Sequence, residues 1–420
     1  MTKDVRCTKI YNLSKRITFK CRIDKKIIVV HPFGEPIVLK TIESNLIRFF
    51  NGGRTLQELS EKRPISGEIW HVFLDLVAQG YLLETSEHYK VDFHPQWTLE
   101  EVFFELTKKC NLNCMHCYIP KGIEKNEMTK DEWFHIVDQC KELGVGLIKL
   151  TGGEAMISPH FWDIVEYISQ KEIRMRLYTN GSFLNEKNVS RLKKLGVSEC
   201  QISVDGGTAA THDSFRRVKG NYERIQNALP ILQKYEMKVI LSYTISDYNQ
   251  REVENFVELS YQYSNVKIVV SPYMNYHQTS EKKCELHVDD QMVNMLKDLF
   301  EKNQYKWSDK TRYYMSFSNQ FIGFCGAGTY MLYIDSQGKA MICPLLNQSE
   351  NIVGDVRRQG LCSVWRESEF LTEYRQKSVS DIEKCGKCSN VNTCRGGCRA
   401  RAYLKGNVLL SPDEISCQMY

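Results

Sequence analysis

The chain has 420 residues, 42% hydrophobic and 25% charged, enough to bury a core in each of two or three domains. Its net charge of +5, from 56 basic and 51 acidic residues, is too small over this length for a nucleic-acid coat or a polybasic membrane anchor. No run approaches the ~18 apolar residues of a membrane helix, and the first residues lack a signal-peptide apolar stretch, so the expectation is a cytoplasmic protein that engages neither nucleic acid nor membrane.

Residues 1–95 read as a separate small module. Three β-type runs, 16–22, 26–31 and 36–39, precede helical patterns. Thr55 and Glu58 have capping-box spacing, and Ile69, Val72, Phe73, Leu76 and Val77 share one helical face closed by Gly80. The order β-β-β-α-α-α suits a winged-helix-like fold. The polar stretch 84–95 reads as a linker.

From residue 96 to about 280 strands and helices alternate. Candidate strands are 102–106, 146–150, 174–178, 199–204, 238–243 and 266–270. Thr129 and Glu132 cap a helix that buries Trp133, Ile136, Val137 and Cys140 and stops at Gly144; Phe161, Ile164, Val165 and Ile168 line the next. Repeated β/α units imply parallel strands, and six units fall short of a closed barrel, so the expected class is α/β with a partial (β/α)6 TIM-like barrel. Residues 281–420 lose this regularity. They hold Cys325, Cys343, Cys362, Cys385, Cys388, Cys394, Cys398 and Cys417 among turn residues, which predicts a loop-rich domain held by metal ligation.

Sixteen cysteines in a long chain without an export signal point to reduced, metal-binding thiols. Cys110, Cys114 and Cys117 follow the first barrel strand with CxxxCxxC spacing, which can hold three irons of a 4Fe–4S cubane and leave the fourth open. Zinc normally takes four ligands and favours a CxxC pair, which this triplet lacks. The second strand runs into Thr151, Gly152, Gly153 and Glu154, the third into Thr179, Asn180 and Gly181, the fourth into Ser203, Val204, Asp205 and Gly206, and the sixth ends at Pro272. Each lies at the C-terminal end of a strand, where barrel active sites are built.

This series resembles the radical S-adenosylmethionine (SAM) enzymes. The resemblance implies that Cys110, Cys114 and Cys117 hold the catalytic cluster and that Gly152, Gly153 and Glu154 meet the methionine amino group. Ser203 and Arg216 would meet the carboxylate or ribose. Asn180 and Asp205 would line or shape the site, with Arg217 competing for the role of Arg216. His116 stands where the family has an aromatic residue beside adenine.

The C-terminal cysteines resemble the SPASM extension of those enzymes, which implies two auxiliary 4Fe–4S clusters and three in all. One would use Cys385, Cys388, Cys394 and Cys417, the other Cys325, Cys343 and Cys398. The second set lacks a fourth thiolate; Cys362 or Cys284 would have to supply it, or one iron stays open. A zinc ribbon on Cys385, Cys388, Cys394 and Cys398 leaves Cys325, Cys343 and Cys417 unexplained. Cys7, Cys21, Cys140 and Cys200 read as buried small hydrophobes.

The N-terminal module resembles the recognition element of enzymes that mature ribosomally made precursor peptides, which captures a leader peptide by strand addition. Nine Lys/Arg against Asp4 and Asp24 in the first 26 residues suit an acidic leader or, equally, a solvated edge. Taken together, the resemblance implies an oxidoreductase of the ranthipeptide, sactipeptide or bacteriocin kind, reduced by flavodoxin or ferredoxin, that joins a cysteine sulfur to carbon as a thioether. Carbon–carbon crosslinking, sulfatase-type formylglycine formation and a non-catalytic zinc-dependent peptide binder are the alternatives.

Overall fold

A computed structural model describes residues 10–13, 18–21, 27–30, 37–38, 46–47, 49–51, 53–62, 64–86, 88, 99–119, 126–275, 286–302, 326–347 and 349–419. They fall into two compact units that divide between Thr98 and Leu99.

In the first unit, β1 (Ile10–Leu13) lies between β5 (Arg54–Thr55) and β6 (Leu82–Glu84), antiparallel to both. A separate antiparallel sheet joins β2 (Thr18–Cys21), β3 (Ile27–Val30) and β4 (Ile37–Val38). The three foreseen strands are β2 to β4; β1, β5 and β6 are additional. Each has two to four residues and pairs across a long sequence separation, so local pattern does not announce them. Glu84 ends β6, paired with Tyr11, and most of the expected linker over 84–95 lies outside the described residues. The capping box holds: Glu58 N–H donates to Thr55 Oγ1 at 3.1 Å and Thr55 N–H to Glu58 Oε2 at 2.6 Å, opening α1 (Leu56–Lys62). Helix α2 (Gly67–Ala78) buries Ile69, Phe73 and Leu76 against Tyr11, whose ring meets Phe73 edge-on at 4.9 Å. The side chains behind the basic-edge expectation lie outside the described residues.

The second unit is built on a nine-stranded sheet. Strands β7 (Glu101–Glu105), β8 (Leu147–Thr151), β9 (Arg174–Thr179), β10 (Val197–Ser203), β11 (Lys238–Ile245) and β12 (Val266–Pro272) pair in chain order, every pair parallel. Between them run α3 (Lys130–Glu142), α4 (Phe161–Gln170), α5 (Glu186–Lys194), α6 (Ala209–Arg216), α7 (Asn221–Lys234) and α8 (Val253–Tyr261). One face of the strands is continuous apolar core: Val102, Phe104, Ile148, Leu150, Leu177, Ile202 and Leu241 have no exposure. Each such side chain is worth roughly 1.5–3 kcal/mol of burial. The other face is polar. Register places Phe103, Lys149, Arg176 and Glu199 in one row across four strands, where Lys149 pairs with Glu101 at 2.5 Å and Arg176 with Glu199 at 2.9 Å.

After α9 (Asp290–Lys302) the C-terminal region is more regular than its composition suggests. Strand β13 (Met331–Ile334) adds parallel to β7, and β14 (Lys339–Met341) and β15 (Ile352–Asp355) extend the sheet antiparallel. Short helices follow: α10 (Val356–Gln359), α11 (Leu361–Glu367), α12 (Glu369–Gln376), α13 (Val391–Cys394), α14 (Arg399–Gly406) and α15 (Glu414–Met419). The partial barrel and this domain therefore share one sheet. Among the described residues no helix is long and apolar enough to cross a membrane.

Candidate iron-sulfur and cofactor site

Parallel strands bring the loops after β7, β8, β9 and β10 to one edge of the sheet. The cysteine loop is pinned at its start, where Thr107 Oγ1 and Lys108 N–H donate to Glu127 Oε1 at 2.7 and 3.1 Å. It is then locked to the loop after β8: Gly153 N–H donates to Thr107 O and Glu154 N–H to Lys109 O, both at 2.9 Å. The two glycines permit this contact. Gly152 has φ +152°, and a Cβ at Gly152 or Gly153 would come closer than 3.0 Å to Thr107 O or Lys109 O. What these glycines approach in this chain is the backbone of the cysteine loop.

Cys110 is exposed, and Cys114 and Cys117 are half-buried. The Cys110 sulfur accepts from Leu112 N–H at 3.4 Å and Asn180 Nδ2 at 3.8 Å, and the Cys114 sulfur from Arg216 Nη1 at 3.5 Å. Although the residue as a whole is exposed, the protein packed around its sulfur desolvates it and pushes the Cys110 thiol up to about 11. Metal ligation would deprotonate it outright. Arg216 forms an ion pair with Asp205, which is 0% exposed. Burial alone would raise the Asp205 carboxyl, but Arg216, His116 and the Thr244 N–H outweigh it and hold the group below its ordinary value. Both Asp205 oxygens serve protein groups, Oδ1 taking Thr244 N–H at 2.8 Å, so this residue orients Arg216. His116 stacks obliquely on Phe215 at 4.8 Å, its Nε2 3.8 Å from Asp205.

Glu154 is buried, which raises its carboxyl; Oε2 accepts from Thr179 Oγ1 at 2.9 Å and Asn180 N–H at 2.8 Å, and Oε1 from Met156 N–H at 3.2 Å. A carboxylate offers about four acceptor positions, so room for one further donor such as an ammonium remains. Ser203 closes β10, in register with Ser242 of β11. Arg217 takes the left-handed C-cap of α6 at φ 55°, which turns it away from the helical run that carries Arg216.

Sequence reasoning missed the residues that tie these together. Asp205 N–H donates to His212 Nδ1 at 3.1 Å, which places the imidazole proton on Nε2, where it meets Asn221 Oδ1 at 2.9 Å. Burial and then Arg216 lower the His212 pKa, keeping the ring neutral. Asn221 Nδ2 in turn donates to Asn180 O at 3.3 Å and Ser182 Oγ at 3.1 Å, and Asn180 Nδ2 donates to Asn111 Oδ1 at 2.8 Å. A chain of buried polar groups thus runs from Cys110 round to Cys114. Only the repeated asparagines in such loops could have signalled it.

A second constellation lies in the C-terminal domain. Cys385, Cys388, Cys394 and Cys417 line one cavity of about 60 Å³ with Asn390, Val391, Gly396 and Ser416. Cys398 is absent from that lining, so the zinc-ribbon quartet is not the set that converges. Among the described residues no three His, Cys, Asp or Glu side chains stand close enough to hold one metal ion. Four sulfurs spread around a cavity instead fit a multi-iron cluster. Cys398 is the N-cap residue before α14, its N–H donating to Asp413 Oδ2 at 2.8 Å. Cys343 follows β14; burial raises the phenol of Tyr118, and the nearby Glu105, Cys117 and Cys343 raise it further. Cys325 and Cys284 lie outside the described residues. Cys362 sits on α11 against α3, where its N–H meets Gln139 Oε1 at 3.0 Å; burial and then Glu142 raise its thiol, which in turn acts on the buried Cys140. Gln139, Glu142 and Cys140, the neighbours of Cys362, belong to neither auxiliary cysteine set. Cys140 and Cys200 are core residues with 0% exposure. Cys7 lies outside the described residues, as does the side chain of Cys21.

Residues 104–260 match the model of the Radical SAM superfamily, and residues 325–389 that of the SPASM iron-sulfur cluster-binding domain. The chain is 28% identical over 328 residues to an AdoMet-dependent heme synthase of Methanosarcina barkeri, covering 72% of this chain and 91% of that protein. It is 27% identical over 324 residues to the mycofactocin maturase MftC of Mycobacterium tuberculosis, covering 75% and 82%. Its fold is similar to that of Streptococcus suis SuiB bound to precursor peptide SuiA, with a TM-score of 0.69 and 15% identity over 97% of this chain and 100% of that one.

Proposed function

We infer, from a chain that carries a radical SAM domain followed by a SPASM domain, that it is a cytoplasmic maturase of a ribosomally made precursor peptide and installs a cysteine thioether. The observation that carries the peptide reading is the likeness to SuiB across 97% of the chain, a span that takes in the N-terminal unit as well as the barrel. That unit would bind the leader: the sheet of β2, β3 and β4 ends in two edge strands that an extended peptide can prolong.

When bound, the cluster supplies one electron to SAM and yields a 5′-deoxyadenosyl radical that takes a hydrogen from substrate carbon. Cys110, Cys114 and Cys117 would hold that cluster. Glu154 would take the methionine ammonium, and Arg216, fixed by Asp205, the carboxylate, with Ser203 beside it. His116 would flank the adenine. Cys385, Cys388, Cys394 and Cys417 would hold one auxiliary cluster and Cys325, Cys343 and Cys398 the other, three in all. The thioether reading is supported by Cys362, which packs on α3 and so does not serve as the fourth thiolate of the three-cysteine site. A flavodoxin- or ferredoxin-type protein would supply the electron.

The heme synthase relative favours a second reading, action on a heme precursor. The two separate on substrate. The reaction is run anaerobically with a short cysteine-containing peptide encoded beside the gene. A thioether product is lighter by two hydrogens and resists thiol alkylation. A carbon–carbon crosslink loses the same mass but still alkylates, and a formylglycine product reacts with hydrazide. An unchanged peptide together with a changed porphyrin spectrum would favour the second reading.

A further inference from the structure

Asn180 ends the β9 strand region 5% exposed, and every polar atom it carries has a partner. Its side-chain oxygen accepts from Ser182 N–H at 2.9 Å, so the amide cannot be reversed and Nδ2 must point to Cys110 and Asn111. Its backbone N–H is taken by Glu154 and its carbonyl by Asn221. The donor is therefore held by three neighbouring loops and does not reorient when the charge beside it changes. A reduced cluster carries more negative charge on its thiolates than an oxidised one. A fixed N–H aimed at such a sulfur stabilises the reduced form more, and so raises the potential. Cys114 has a donor too, but the guanidinium of Arg216 is offset by the Asp205 carboxylate, whereas the Asn180 amide has no opposing charge among its hydrogen-bond partners at Nδ2.

We propose that Asn180 tunes the first cluster: its Nδ2 donates to the Cys110 thiolate and makes that cluster easier to reduce. This rests on the reading of Cys110, Cys114 and Cys117 as cluster ligands, and Asn180 acts through Cys110 as a positioning residue.

The test uses the full chain, reconstituted anaerobically with iron and sulfide. Iron per chain is measured first. A redox titration then follows the cluster whose paramagnetic signal SAM alters. Asn180→Leu keeps the volume and removes the donor. Asn180→Asp keeps the acceptor for Ser182 N–H and sets an oxygen beside the sulfur. Both variants should load as much iron as the parent. At the potential where the parent's first cluster is half reduced, the reduced-to-oxidised ratio should fall about tenfold in Asn180→Leu, the worth of one hydrogen bond to a charged group, and further in Asn180→Asp. The auxiliary signals should not move. If only one variant loads, that variant decides. An unchanged ratio overturns the proposal, as does loss of first-cluster iron in both variants, since Asn180 would then only build the loop. A parent whose three cysteines load no iron would defeat the cluster reading itself, and this proposal with it.

Discussion

Asp205 has no exposure, and its charge is matched by an arginine that is itself only 7% exposed. Removing one partner of such a pair strands the other and costs about 3–5 kcal/mol, more than a marginal domain loses lightly. Asp205→Ala should therefore lower the melting temperature sharply and weaken SAM binding by freeing Arg216. Binding calorimetry on the reconstituted chain checks this, and unchanged affinity would remove Asp205 from the account. Glu105 offers a test in pH. Burial, only partly offset by the Tyr333 hydroxyl, raises its carboxyl from 4.5 to about 7, with Lys108, Ser336 and Asp335 as its other neighbours. A raised acid binds its proton more tightly when folded, so its contribution is full below 4.5 and is lost as pH rises through about 7. Glu105→Gln should abolish a fall of up to about 3 kcal/mol across that window, read as the difference between parent and variant denaturation curves. At this scale Cys385, Cys388, Cys394 and Cys417, which line one cavity, were legible because cluster ligands recur at short, fixed spacings. The asparagine and histidine network was not, because loop polar residues have no period and meet only after folding.

Among the elements, the six parallel strands and their helices could be read because alternation, capping boxes and glycine stops agree locally, as at Thr129 and Gly144. Strands β13 to β15 could not: each has three or four residues, and β13 gains its meaning only from β7, over two hundred positions earlier. The same long reach explains Asp413, which the sequence did not single out. Its carboxylate takes the Cys398 N–H, Arg401 Nη2 at 2.7 Å and Ser416 Oγ at 2.6 Å, while its carbonyl takes Cys417 N–H at 2.9 Å. One residue thus clamps cysteines assigned to two different auxiliary sites. Asp413→Ala should lose auxiliary iron while sparing the first cluster, and Asp413→Asn should retain part of it. Equal loss from every cluster would mean general unfolding instead.

At the scale of the molecule, the proposed function gives the two units distinct duties. Deleting residues 1–98 should abolish tight binding of full-length precursor yet leave slow SAM cleavage, because the cysteine loop and its partners all lie in the second unit. Unchanged precursor processing by the truncated chain would give the first unit another role. The central claim is that three cysteines on one loop drive the chemistry. The most direct measurement is 5′-deoxyadenosine formed from SAM under anaerobic reduction by the parent and by the variant with Cys110, Cys114 and Cys117 all changed to Ala. The parent should form it with about twelve irons per chain, and the variant should form none while keeping about eight. Parent-level product from the variant, or a parent that holds zinc with little iron or sulfide, would contradict the account.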